Sequence, residues 1–209
     1  MGVITNIIPT KRNKGQMVEI FLDDSCLGLV HMETMIKFGL VIGKEFDNDE
    51  LLKVVEDSNT IVAMEQMLKL LSKFLKTEKQ CADYLRGKGY SINVINSVIT
   101  KLKEYKYIND ENYAKQYLET YKYKKGKRAM SYDLGIKGIE KTIIEQALSN
   151  ISGTDDVVQN IANKYMKNKD YTYKNKNKLL NHLASKGFEY DEIMSVINNI
   201  GEWKNEDRL

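Results

Sequence analysis

The sequence predicts a mainly α fold, with three tandem three-helix repeats that form an elongated curved solenoid after a small mixed α/β N-terminal domain. Proline, which interrupts helices, occurs once in 209 residues, at Pro9. The pair Lys-Gly recurs at a spacing of 49 residues. Apolar and polar residues alternate within the first 60 residues, and the pattern becomes helical from about Ile61 onward.

The N-terminal domain is predicted to span residues 1–58 and to contain a β-hairpin. Met17–Leu22 alternates between apolar and polar side chains, as a half-buried strand does. The turn residues 23–25 separate it from a second short apolar run. Residues 4–8 are predicted to add a further strand.

Two short helices are predicted to complete this domain. Met32–Phe38 is followed by Gly39, a residue type that often ends helices. Residues 47–49 supply N-cap candidates for a helix that continues to Val55. Ser58-Asn59 is predicted to be the linker between the domain and the repeats.

The repeated unit is centred on the pair Lys-Gly. A leucine lies four residues before each glycine, an isoleucine lies six residues after it, and no gap is needed to align the three copies. A glycine at this position allows the left-handed conformation that ends one helix before the next begins. The aligned residues are Lys88-Gly89, Lys137-Gly138 and Lys186-Gly187, the leucines Leu85, Leu134 and Leu183, and the isoleucines Ile95, Ile144 and Ile193.

In this frame each repeat contains three helices. The predicted helices cover residues 61–75, 78–88 and 92–105, then 110–123, 127–137 and 140–151, then 155–167, 174–186 and 190–200. The predicted repeat boundaries are 61–108, 110–153 and 155–201, with a C-terminal tail at 202–209. Thr77 and Ser91 are predicted N-caps, Thr77 in a capping box with Gln80. Repeats of this kind pack mainly on their neighbours.

The composition predicts a soluble cytoplasmic protein. Cys26 and Cys81 are too few for a disulfide framework or a tetrahedral metal site and fit a reducing compartment. No apolar run approaches the roughly 20 residues that a membrane helix needs. Residues 1–60 carry 6 basic and 10 acidic residues, a net charge of −4, whereas residues 61–209 carry 26 and 19, a net charge of +7. The repeats are therefore the part of the chain that suits an acidic partner.

Catalytic, cofactor-binding and metal-binding residues are not predicted. The stretch "LRGKGY" at 85–90 lacks the spacing GxxxxGK[ST] and the preceding strand of a phosphate-binding loop, so a corner between helices is expected. His31 and His182 lie far apart in sequence, and His182 occupies a variable repeat column that favours a surface or boundary position. The acidic residues at 47–50 and the segment 154–156 are better explained as helix starts than as metal ligands.

Two basic segments are the candidates for a binding surface. Residues 115–128 hold six basic residues and one acidic residue, and residues 164–178, displaced by 49, hold six lysines and one acidic residue. A ladder of cations suits a phosphate backbone or an acidic protein groove, and nearby tyrosines can stack on bases. The alternative is a solvated lysine surface, with tyrosines such as Tyr113 and Tyr117 packed inward. The predicted cationic residues are Lys115, Lys122, Lys124, Lys125, Lys127, Arg128, Lys164, Lys167, Lys169, Lys174, Lys176 and Lys178.

Two segments carry a resemblance to a known family. The pattern LxxKGY at 85–90, an apolar helix and "YINDENYA" at 107–114 are similar to the most recognisable segment of the RecX family. "GKRAMSYDLGIKGI" at 126–139 is similar to its second signature, although Lys127 stands where a proline is common. The N-terminal region is similar to the extra domain of longer, Gram-positive-type members. The chain therefore resembles RecX, the bacterial regulator of the RecA recombinase.

The resemblance implies a regulator and not an enzyme. RecX-like proteins are understood to bind RecA filaments on DNA and to limit strand exchange, ATP hydrolysis and co-protease activity in DNA repair and the SOS response. The expected partners are the RecA filament and single-stranded DNA, with no membrane partner and a monomeric chain. Two other hypotheses are kept: a sequence-independent single-stranded nucleic-acid-binding repeat protein and, with no supporting motif, an enzyme.

Overall fold

The structure is a computed structural model that describes residues 1–151 and 156–204, except for the side chains of Asn13 and Lys14. Thr154 and Asp155, which were predicted to start a helix, lie outside the described residues, as do residues 205–209 of the predicted tail. The chain divides into two units, one of residues 1–76 and 80–108 and the other of residues 77–79 and 109–209. No helix in the described part is long and apolar enough to cross a membrane.

The first unit begins with a four-stranded antiparallel sheet. Its strands are β1 (Gly2–Pro9), β2 (Met17–Leu22), β3 (Ser25–His31) and β4 (Glu45–Phe46), in the spatial order β3-β2-β1-β4, and a 3-10 turn, Arg12–Gly15, joins β1 to β2. The predicted hairpin is present, with Asp23 and Asp24 at positive φ in its turn. The two-residue strand β4 was not predicted, because two residues are too few to produce an alternating pattern.

One long helix serves both the sheet and the first repeat. A short helix, α1 (Met32–Phe38), precedes α2 (Asn48–Leu71), and the Asp47 side chain caps the start of α2. The predicted linker at Ser58-Asn59 is wrong, because α2 continues through both residues. Serine is unfavourable in the interior of a helix, but the Ser58 hydroxyl oxygen accepts a hydrogen bond from the His31 N–H at 3.0 Å. This contact lets a buried serine remain inside the helix.

The two ends of α2 pack against different cores. Leu51, Val54 and Val55 belong to a cluster with sheet residues that include Ile4 and Ile20. Further along the helix, Ala63 and Met67 belong to the core of the first repeat. Burial on both sides stabilises one continuous helix, and local propensity is a weaker effect.

The three predicted three-helix repeats are confirmed. After α2 the helices are α3 (Glu78–Gly87), α4 (Ile92–Glu104), α5 (Asp110–Tyr121), α6 (Lys127–Ile136), α7 (Lys141–Ser149), α8 (Val157–Met166), α9 (Tyr173–Ser185) and α10 (Tyr190–Asn199). Each repeat has its own buried cluster, which contains the corner leucine and the isoleucine that follows the corner. The leucines Leu85, Leu134 and Leu183 are fully buried.

The three Lys-Gly corners share one backbone conformation. The φ angles are 85° at Gly89, 86° at Gly138 and 83° at Gly187, in the left-handed region that favours glycine. In each corner the N–H of the residue after the glycine donates a hydrogen bond to the corner leucine's carbonyl oxygen, which satisfies one orphan group of the helix end. The N···O distances are 3.3 Å for Tyr90, 3.2 Å for Ile139 and 3.4 Å for Phe188.

In the second unit, the corner carbonyls accept hydrogen bonds from the residue at the start of a preceding second helix. The Thr77 hydroxyl donates to the Lys137 carbonyl oxygen at 2.7 Å. In the equivalent place 49 residues later, the Gly126 N–H donates to the Lys186 carbonyl oxygen at 2.8 Å. The corner is thus both a turn and a docking element between consecutive repeats.

Close backbone approach is a second reason for glycine at these corners. A Cβ at Gly187 would overlap the backbone of Ala129, and a Cβ at Gly126 would overlap the carbonyl group of Gly187. At Gly138 the overlap would be with the Lys79 side chain. Larger residues would therefore separate the helix start from the corner that it contacts.

The third repeat ends in a short backbone pairing. Thr172 and Lys204 form a parallel bridge, in which the Tyr173 N–H donates to the Lys204 carbonyl oxygen at 3.1 Å. The Trp203 indole N–H donates to the Ile197 carbonyl oxygen at 2.9 Å, so the aromatic ring is fixed beside the core of the third repeat. This segment lies beside the start of α9. The equivalent helix starts, those of α3 and α6, contact the Lys-Gly corners of the second and third repeats.

Candidate functional site

The first basic segment surrounds the start of α6. Gly126 is the N-cap, and Lys127 and Arg128 lie in the first turn, which contains no acidic residue. Both side chains are exposed, as is that of Lys124, and none of the three forms an ion pair with another described residue. Positive charge in a first turn meets the positive end of the helix dipole, which is unfavourable by about 0.3–1 kcal/mol per charge. The N–H groups of Gly126 and Arg128 already donate to carbonyl oxygens of the third corner, so an external anion would be bound by the exposed side chains of Lys127 and Arg128.

The third repeat presents the same charge at the equivalent helix start. Thr172 caps α9 by accepting a hydrogen bond from the Asn175 N–H at 3.3 Å, and the first turn contains no acidic residue. Lys174 lies in that turn and is exposed. The other exposed cations of this segment are Lys164, Lys167, Lys169 and Lys178. Two helix starts related by the repeat therefore combine a helix N-terminus with exposed cations.

Two of the predicted cations are engaged within the second repeat. The Lys122 ammonium lies 2.6 Å from a carboxylate oxygen of Glu119, and only 13% of its side chain is exposed. The Lys125 ammonium lies 2.5 Å from Asp133 Oδ2. Their charges are balanced locally, which makes them poorer partners for an external anion than Lys127 or Arg128. Lys115, on α5, is exposed.

Lys125 and Asp133 belong to a polar network with Tyr117. The Tyr117 hydroxyl donates to Asp133 Oδ2 at 2.6 Å, and the Lys125 ammonium lies 3.4 Å from the Tyr117 oxygen. Burial and the hydrogen bond to Asp133 raise the pKa of Tyr117 to about 12. Burial alone would raise the pKa of Asp133, but the hydrogen bonds from Lys125 and Tyr117 lower it below its usual value. At neutral pH the network is therefore an ion pair with a neutral tyrosine.

Replacing Asp133 by asparagine is expected to lower the free energy of unfolding by about 1 kcal/mol at neutral pH, because both charged partners stay about a third exposed. Since the pKa of Asp133 is lower in the folded chain, its contribution is fully present above the unfolded value of about 4. The contribution is lost as the pH falls through the folded pKa. Urea unfolding of both proteins at neutral pH and well below pH 4 should show the difference shrink.

Asp83 provides the control for this measurement. It pairs with Arg86 on an exposed helix surface, with half or more of each side chain accessible. Asp83→Asn is therefore expected to leave the unfolding midpoint unchanged. A D133N difference that is equally large at both pH values would contradict the ion-pair assignment.

Two lysines of the third repeat lie over aromatic rings. The Lys169 ammonium lies 3.2 Å from the centre of the Tyr165 ring, and the His182 ring stacks on Tyr165 at 4.5 Å. Burial, followed by the charges of Lys186 and Lys169, lowers the pKa of His182, so this histidine is neutral at neutral pH. The Lys176 ammonium lies about 6 Å from the centres of the Tyr173 and Trp203 rings. Each of these contacts is a cation–π interaction within the third repeat.

The tyrosines divide between core and surface. Tyr113 and Tyr117 are partly buried and pack against the core of the second repeat, which agrees with the inward-packing interpretation. Tyr123 and Tyr173 are 60% and 50% exposed. The exposed rings, close in sequence to the cations, could stack on bases.

Potential metal ligands are dispersed among the described residues. These residues contain no group of three or more His, Cys, Asp or Glu side chains that could hold a metal ion. Cys81 is buried in the core of the first repeat, and Cys26 is exposed at the sheet.

Comparison with protein families identifies each repeat. Models of the first, second and third three-helix domains of RecX match residues 63–102, 109–148 and 154–197. The chain belongs to the RecX family. The family indicated by the two sequence signatures is therefore confirmed.

RecX relatives match along almost the whole chain. Regulatory protein RecX of Clostridium botulinum (strain Eklund 17B / Type B) is 35% identical over 204 residues, which cover 94% of this chain and 95% of that protein. The protein of the same name from Clostridium tetani (strain Massachusetts / E88) is 34% identical and covers 94% of each chain. A crystal structure of a regulatory protein RecX superposes with a TM-score of 0.65 over 95% of this chain and 100% of the other, at 23% identity, which shows the common fold.

Proposed function

We propose that this chain is a regulator of RecA that binds RecA filaments on single-stranded DNA and inhibits their recombinase, ATPase and co-protease activities. The observation that carries the proposal is the repetition of a cationic helix start, at the second helix of the second repeat (α6) and again at the second helix of the third repeat (α9), 46 residues apart in sequence. A nucleoprotein filament presents anionic groups at regular intervals, so equivalent surfaces can engage it at several points. Multivalent contact raises overall affinity without requiring any one strong contact.

Membership of the RecX family supports the choice of partner. Because the RecX relatives are described as regulatory proteins, the chain is proposed to act by occupancy of the filament and not by catalysis. A cation on a helix start contacts phosphates or carboxylates without reading sequence, which suits a filament that forms on DNA of any sequence.

A second candidate function is sequence-independent binding of single-stranded DNA itself. The observation in its favour is the exposure of Tyr123 and Tyr173 next to the cations in sequence, because exposed rings beside cations form stacking platforms for bases. Both functions use the same residues, so affinity for the filament has to be compared with affinity for naked DNA.

The test measures ATP hydrolysis and strand exchange by preassembled RecA–single-stranded DNA filaments while this protein is titrated in. Both activities are expected to fall, and fluorescence anisotropy should show binding to filaments at least about tenfold tighter than to naked oligothymidine. No effect on assembled filaments at any ratio to RecA would refute the proposal. Equal affinity for naked DNA, with a steep dependence on salt, would favour the second candidate.

A further inference from the structure

Among the described residues, no helix start contacts the first Lys-Gly corner in the way that one contacts each of the other two corners. Gly89 and Lys88 are exposed, and the nearest atom to a Cβ built on Gly89 would be in the Arg12 side chain, at 3.4 Å. Within the described part of the chain, the carbonyl groups of Lys88 and Gly89 accept no hydrogen bond, whereas the equivalent carbonyls of Lys137 and Lys186 do. The corner that opens the repeat series therefore has its acceptors unused.

This open corner forms one wall of a cavity in the first unit. The cavity has a volume of about 790 Å³ and is also lined by β3 and by α2. Three cations reach it, Arg12, Lys69 and Lys88, against one carboxylate, Glu56. That carboxylate already accepts a hydrogen bond from the Asn93 side chain at 2.7 Å. The cavity is thus positively charged.

Asn59, a residue of the cavity wall, carries a second unused acceptor. The side-chain oxygen of Asn59, on α2, is buried and has no hydrogen-bond partner among the described residues. Buried polar atoms are nearly always satisfied, so this unpaired acceptor beside the cavity is unusual. The ligand that fits must combine N–H or O–H donors with negative charge.

We propose that the first corner and its cavity bind the N-terminus of a helix of a partner protein, with acidic residues in the first turn of that helix. The two occupied corners show the mode of contact, since their donors are the Thr77 hydroxyl and the Gly126 N–H, each at a helix start. The first turn of any helix has N–H groups without intrahelical partners, and it favours acidic residues. Those N–H groups would donate to the Lys88 carbonyl, and the carboxylates would pair with the side chains of Arg12, Lys69 and Lys88.

A nucleic-acid phosphate fits this cavity less well. Phosphate oxygens only accept hydrogen bonds, so they would face the carbonyl oxygens of the corner without a donor between them. The inference does not depend on the proposed function, because it concerns a different surface and a protein ligand.

The probe is a synthetic, fluorescein-labelled helical peptide with an acetylated N-terminus that begins Thr-Glu-Glu-Glu, and the comparison peptide begins Thr-Lys-Lys-Lys. Fluorescence anisotropy with the full chain is expected to show binding of the acidic peptide and at least about tenfold weaker binding of the basic one. The double variant R12E/K88E should lose at least about tenfold in affinity for the acidic peptide. Lys186→Glu, the same change at a corner that is already occupied, should leave that affinity unaltered.

Nuclear magnetic resonance of the wild-type chain provides a measurement that needs no variant. With ¹⁵N-labelled glycine, the acidic peptide should shift the Gly89 amide signal and leave those of Gly138 and Gly187 in place. Equal binding of both peptides, an unmoved Gly89 signal or an unaffected R12E/K88E variant would each overturn the proposal. So would oligothymidine that displaces the peptide and itself loses affinity in R12E/K88E, since the cavity would then be a nucleic-acid site.

Discussion

Gly187→Ala is expected to lower the free energy of unfolding of the second unit by about 3 to 4 kcal/mol, whereas Gly89→Ala should lower that of the first unit by about 1 to 2 kcal/mol. Both glycines follow a lysine at the same repeat position, with φ angles of 83° and 85°. The left-handed strain of alanine is therefore equal at the two sites. Only Gly187 faces the backbone of Ala129, which a Cβ would overlap. The difference between the two losses in free energy of unfolding measures how much the close contact between the third corner and the start of α6 contributes to stability.

The single tryptophan makes this difference measurable. Trp203 packs beside the core of the third repeat, so its fluorescence during urea unfolding reports on the second unit. Circular dichroism at the helix signal follows both units together. G187A should shift the tryptophan transition to lower urea, and G89A should leave that transition in place.

Gly138→Ala provides a graded control. Its φ angle is 86°, but the added Cβ would meet the Lys79 side chain, which is exposed and can partly move aside. Its effect should lie between those of G89A and G187A. If all three variants lose the same free energy, the corners are turns only and the close backbone approach has no energetic role.

The corners illustrate how far local sequence determines this fold. Leucine, lysine and glycine at fixed spacing predict a helix end, because all the residues that form the left-handed turn and its hydrogen bond lie within a stretch of six. The role of Gly126 could not be predicted in the same way, because its partner, the Gly187 carbonyl, is 61 residues away in sequence. One signal was present: the N-cap is a glycine, which has no side chain to accept the capping hydrogen bond that serine or aspartate would accept.

The missed continuity of α2 has a similar cause. Ser58-Asn59 is a poor helix interior when judged by propensity, and the prediction placed a linker there. The contact that reverses this preference comes from His31 at the end of β3, and burial of both halves of the helix adds to it. Neither the His31 hydrogen bond nor this burial produces a hydrophobic periodicity that could be recognised in the sequence at Ser58.

At the candidate site, the sequence identified the basic segments but not which cations are paired. Lys125 lies in the turn before α6, and Asp133, which pairs with it, follows eight residues later in that helix. That spacing does not match the three- or four-residue separation that brings side chains together on one helix. The Lys122–Glu119 pair has such a spacing and was predictable in principle.

Neutralising Lys127 and Arg128 is expected to weaken binding to RecA–DNA filaments by at least about tenfold, whereas neutralising Lys122 and Lys125 should change it much less. The double variants K127Q/R128Q and K122Q/K125Q remove the same net charge from the same segment. The first pair is exposed at the α6 start and unpaired with any described residue, while the second pair already contacts Glu119 and Asp133. Charge available to an external anion should therefore fall only in the first variant.

The salt dependence of filament binding distinguishes direct contacts with phosphates from attraction by the net charge of the chain. Each phosphate contact releases counterions, so K127Q/R128Q should reduce the slope of log affinity against log salt by about 2. K122Q/K125Q should leave the slope unchanged, and circular dichroism should confirm that its helix content is intact. If both variants weaken binding equally, net charge and not the α6 start determines affinity. If neither does, the filament contacts another surface of the chain, and the equivalent cations at the start of α9 become the next to be tested.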